Sequence, residues 1–223
     1  IYDLLKQSGH YKKAITTEFK DKFPTEKLVQ HICVGFIEGW EFLEDKASLI
    51  SKVLAIANPN QLQELTRFCW TFKSALNPIQ KDRVKRLWSK IMDAVADRLD
   101  RSEYRSLASN LARWLALVDR IDNEIFKWMM KLVKYLDKDH FNSFIIEYLL
   151  QHVDRTPQEV GKIYIEMLSN GIYPLYEEEH IQKLVRKLYT THPDIADIIC
   201  NRYAEKGYFE IIENVYKEHR RNT

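Results

Sequence analysis

From Val84 to Val215 the large apolar residues of this chain recur three and four positions apart, and no other feature limits its fold so tightly. One stripe runs Val84, Leu87, Trp88, Ile91, Val95, Leu99, and the next Tyr104, Leu107, Ala108, Leu111, Leu115, Val118. Ile125, Met129, Leu132, Val133 and Leu136 form a third, and Phe141, Phe144, Ile145, Tyr148 and Leu149 a fourth. Later stripes are Val160, Ile163, Tyr164, Met167, then Ile181, Leu184, Val185, Leu188, then Ile195, Ile198, Ile199, and finally Ile211, Ile212, Val215. A helix turns once in 3.6 residues, so each set falls on one face, whereas a half-buried strand would alternate at every second residue. No stretch alternates in that way. The chain has only six Gly and six Pro in 223 residues, below the usual ~7% and ~5%. That is too few for the turns of a β-sandwich. Five Trp, ten Phe, twelve Tyr and a net charge of only +2 also exclude a disordered chain. The expected fold class is all-α.

Helix boundaries are marked by chemistry. Asn58-Pro59 and Asn77-Pro78 each pair an N-cap residue with Pro at the first helical position, where the missing N–H costs nothing. Thr156-Pro157-Gln158-Glu159 has the pattern of a capping box. Asp45, Ser102, Asp122 and Asp139 are further expected caps. Ser169-Asn170-Gly171 and Glu205-Lys206-Gly207 read as helix ends, because Gly reaches positive φ without strain.

Two details favour stacked helical hairpins over a simple bundle. Phe126, Trp128 and Met130, and later Ile146 and Leu150, make the middle helices apolar on more than one face, so neighbours must cover them from two sides. Hairpin starts near Ser102, Asp139 and Tyr176 are 37 residues apart, while Asn58 to Ser102 is 44. Such periods belong to helical repeats. The expectation is an α-solenoid of antiparallel hairpins without a sheet, HEAT-like because no TPR consensus is present. Residues 1–24, ending at Pro24, form a less regular helical segment, and 25–223 form one array. A compact orthogonal bundle is the competing architecture.

Few residues suggest catalysis. No Walker A motif occurs, and Gly35-Phe36-Ile37-Glu38-Gly39 is too bulky for a phosphate loop and reads as a close helix contact or a kink. No Gly-x-Ser-x-Gly, His-Glu-x-x-His or Cys-x-x-Cys is present. Glu177-Glu178-Glu179-His180 offers a site for a cation or compensates a helix dipole, and the second reading is preferred. His140 and His192 flank helix breaks and read as structural. No catalytic residue, metal site or cofactor is expected.

Cys33, Cys69 and Cys200 are odd in number and each lies within an apolar helical pattern. They read as buried thiols in a reducing, cytoplasmic setting. The longest apolar runs, Val53–Ala57 and Trp114–Val118, are far below the ~20 residues of a membrane span. The chain opens on Ile1 rather than Met, so a longer parent protein is expected.

Partner contacts are expected at two places. Tyr173-Pro174-Leu175-Tyr176 joins two helices and runs directly into Glu177 and Glu178, and a loop held by a rigid scaffold is a common recognition element. Residues 81–120 carry ten Lys/Arg against six acids, including Arg86 and Lys90, which offers a weak phosphate-tracking face.

The C-terminal half resembles the helical-repeat region at the C-terminus of large bacterial STAND-type P-loop NTPases. Ser102-Glu103-Tyr104-Arg105-Ser106-Leu107, running to Ala112-Arg113-Trp114-Leu115, is similar to one helix of those arrays. His192-Pro193-Asp194-Ile195-Ala196 is similar to the start of their penultimate helix. Asn201-Arg202-Tyr203-Ala204-Glu205-Lys206-Gly207-Tyr208-Phe209-Glu210 matches the run before the last helix, with Lys206 where that family favours Arg and Tyr203 where it favours Leu. The likeness covers about residues 77–220. It implies a non-catalytic sensor module with an NTPase and an effector upstream, as in antiphage defence, and a protein ligand, often viral. The alternative expectation is a nucleic-acid-binding repeat domain using the 81–120 face.

Overall fold

A computed structural model describes residues 33–39, 51, 54–55, 57–71, 76–117, 121–137 and 143–222, with the side chains at 68–71, 116–117 and 221–222 excepted. The expected segment 1–24, His31, Asp45, Val53, Val118, Arg120, Asp139, His140, Phe141 and the Cys69 side chain lie outside the described residues. Among those described, regular structure is helical and no strand occurs. The helices are α1 (Pro59–Thr71), α2 (Pro78–Val95), α3 (Ser102–Arg113), α4 (Asn123–Leu132), α5 (Ser143–His152), α6 (Pro157–Ser169), α7 (Glu178–Thr191), α8 (Pro193–Glu205) and α9 (Phe209–Asn222). No helix among the described residues is long and apolar enough to cross a membrane.

The chain divides into two compact units, Ile1–Val95 and Ala96–Thr223. In the first, α1 and α2 begin with matched reciprocal caps. Asn58 Oδ1 accepts from Gln61 N while Gln61 Oε1 accepts from Asn58 N, both at 2.9 Å. Asn77 and Gln80 repeat the arrangement at 2.9 and 3.0 Å. Each box satisfies two backbone donors that the first turn leaves orphaned. Val84, Leu87, Trp88, Ile91, Met92 and Val95 are buried along α2. Arg83 Nη1 donates to Ile37 O at 3.3 Å, closing the end of the helical stretch 33–38. Gly39, at φ +79°, follows that stretch and lies against the Arg83 guanidinium.

The second unit is built from α3 to α9. Its substantial helix packing joins sequence neighbours or helices two apart: α3 with α5, α4 with α6, α5 with α7, α6 with α8 and α7 with α9. The starts of α4, α6 and α8, at Asn123, Pro157 and Pro193, fall 34 and 36 residues apart. All the expected stripe residues of α4, α6 and α7 are buried, as are Trp128 and Ile146 on the second faces of α4 and α5. Each fully buried Leu, Ile or Val removes apolar surface from water and contributes roughly 1.5–3 kcal/mol.

Some local expectations change. Ile198 on α8 is 43% exposed, unlike its neighbours Ile195 and Ile199. Thr156 makes no cap; its hydroxyl turns back to donate to His152 O at 3.3 Å, so no capping box forms with Glu159. Ser102 is the first helical residue of α3 rather than its cap, and Arg101 precedes it without a side-chain cap bond. Asp122 does cap α4, accepting from Ile125 N at 2.9 Å.

Candidate functional site

The Tyr173–Tyr176 loop sits between α6 and α7, and its position follows from two helix ends of the same design. At the end of α6, Gly171 takes φ +78°. Ile172 N then donates to Met167 O at 3.2 Å and Gly171 N to Leu168 O at 2.9 Å. At the end of α8, Gly207 takes φ +79°, Tyr208 N donates to Tyr203 O and Gly207 N to Ala204 O. Both are Schellman ends, in which a left-handed residue turns the chain and satisfies otherwise orphaned carbonyls. The matched exits set Tyr173 and Tyr208 side by side, with ring centroids 5.5 Å apart.

Beneath them α6 and α8 approach closely. A Cβ at Gly161 would collide with the Ile195 side chain. The buried hydroxyls of Tyr164 on α6 and Tyr203 on α8 share a hydrogen bond of 2.5 Å. Burial holds both phenols well above their ordinary pKa, so both stay neutral at physiological pH. Tyr173 stands edge-on to Tyr203 at 5.3 Å and donates from its hydroxyl to Arg202 O at 3.3 Å. Partial burial raises its pKa too, while Arg202 pulls it down and Glu205 pushes it up, so both charges lie beside this hydroxyl.

The loop then leaves the scaffold. Leu175 N donates to Tyr173 O at 2.9 Å and Glu177 N to Pro174 O at 3.0 Å, two tight turns that carry Tyr176 outward to 83% exposure. Tyr208 is 37% exposed. Glu177 Oε2 lies 2.7 Å from His180 Nδ1, Glu178 accepts from Gln182 at 2.9 Å, and Glu179 pairs with Lys183 at 2.6 Å. These acids are engaged within the first turns of α7, where carboxylates offset the positive end of the helix dipole. Among the described residues no group of three His, Cys, Asp or Glu is placed to hold a metal ion.

The expected basic stretch 81–120 is divided between the two units: Arg86 and Lys90 lie on α2 in the first, while Arg105 and Arg113 lie on α3 in the second. Arg86 pairs with Asp82 at 3.2 Å and places its guanidinium 5.6 Å from the centroid of the Phe36 ring. Lys90 is half-buried on the same helix. His192 closes α7 and opens α8: its N–H donates to Leu188 O at 2.7 Å, and its carbonyl accepts from Ile195 N and Ala196 N.

Two features carry no signal in the sequence. A cleft of about 190 Å³ between α7 and α9 is lined by Arg186, Tyr189, Thr190, Val215, Glu218 and His219. Arg186 forks onto Glu218 at 2.9 and 3.2 Å, which holds the Glu218 carboxyl below its ordinary pKa. Tyr189 stacks on His219 with centroids 4.0 Å apart. This seam ties the two helices together. The second is the environment of Cys200, whose buried thiol is raised to about 11 and lies 3.4 Å from the Tyr189 hydroxyl. Cys33 and Cys200 are both buried and unpaired by disulfide. A thiol held protonated by burial is a poor nucleophile.

No protein-family model, curated protein or solved structure matches the chain.

Proposed function

We propose that this chain is a helical-repeat binding module that recognises a folded protein ligand through the loop edge formed by Tyr173, Tyr176 and Tyr208. The observation that carries this reading is the packing pattern of the second unit, in which the substantial contacts among the described residues join sequence neighbours or helices two apart. A closed bundle would bring its first and last helices together. A row of antiparallel hairpins lying side by side would make these contacts and would set the α6–α7 and α8–α9 loops along one edge. The paired Schellman ends and the contact of Tyr173 with Tyr208 support that placement.

In this reading the module is an α-solenoid, works in the bacterial cytoplasm and belongs to a STAND-type NTPase of the antiphage-defence kind. It would couple its ligand to the upstream domains. Recognition of a ligand shifts such a molecule only if the ligand binds one of its arrangements more tightly than another. The test is calorimetry with purified phage proteins as candidate ligands. A 1:1 complex, weakened at least tenfold in a Tyr176→Ala, Tyr208→Ala double variant, is expected. Failure of every ligand to bind this chain, while a longer protein carrying it still responds to the same ligand, would contradict the reading.

A further inference from the structure

We draw no further inference here: the strongest candidate, the cleft of about 190 Å³ between α7 and α9, is lined by groups that already engage one another, with Arg186 forked onto Glu218 and Tyr189 stacked on His219, so nothing in the structure shows what ligand would fill it.

Discussion

The Tyr164 and Tyr203 hydroxyls satisfy each other where water does not reach, so each depends on the other. Replacing one by Phe leaves its partner's hydroxyl buried and unpaired, at a cost of about 1–3 kcal/mol. Replacing both leaves no orphan, so the double variant should lose less than the sum of the singles in urea unfolding. Additive losses would show that the two hydroxyls do not interact. Alkaline pH tests the same burial. Tyr164, Tyr189, Tyr203 and Cys200 all hold their protons more tightly than their ordinary pKa values predict. Above about pH 9 the unfolded chain begins to release protons that the folded chain keeps. The folded state then binds more protons than the unfolded state, and stability falls as pH rises. Thermal melts from pH 8 to 11 should show a falling midpoint, with a shallower fall in Tyr164→Phe/Tyr203→Phe. At Gly207 the cost of substitution lies only in the backbone, because a Cβ there meets nothing within 4 Å. Gly207→Ala should therefore cost about 1 kcal/mol in the same unfolding measurement.

At the scale of the helix, α6 and α8 are held close by Gly161 against Ile195. Gly161→Ala should cost about 1–3 kcal/mol through overpacking. Ile195→Ala clears the obstructing methyl groups, so the two changes together should cost less than their sum; simple additivity would mean that the helices can slide apart freely. Much of this level was legible in the sequence. The stripes on α4, α6 and α7 identify buried faces because helical periodicity and burial share one geometric cause. The asparagine starts of α1 and α2 and the glycine ends of α6 and α8 were readable because their chemistry is local. Gln61 and Gln80 were readable in principle, three residues after each cap, as the other half of a reciprocal box. Thr156 misled, because a threonine hydroxyl can bond back to the preceding turn as well as forward, and nothing in the sequence decides between them. Ile198 misled because exposure on α8 depends on which helix lies beside it, not on spacing.

For the molecule as a whole, the sequence carried the presence of the aromatic loop but not its partners. The meeting of Tyr173 with Tyr203 and Tyr208 joins residues about thirty positions apart, and no local pattern encodes that. The Arg186–Glu218 fork is of the same kind. A fragment of residues 96–223, which forms a compact unit with its own core, should fold and melt cooperatively by circular dichroism without the first 95 residues. The proposed row of hairpins makes the sharpest demand. Packed helices lie about 8–10 Å apart, so three steps from α3 through α5 and α7 to α9 separate the outermost pair by roughly 25–30 Å. Spin labels at the exposed positions Ser106 on α3 and Asn214 on α9 measure that separation directly by pulsed electron resonance. A distance near 30 Å is expected; one of about 10–15 Å, with α3 lying against α9, would mean a closed bundle and would remove the extended edge on which the proposed recognition depends.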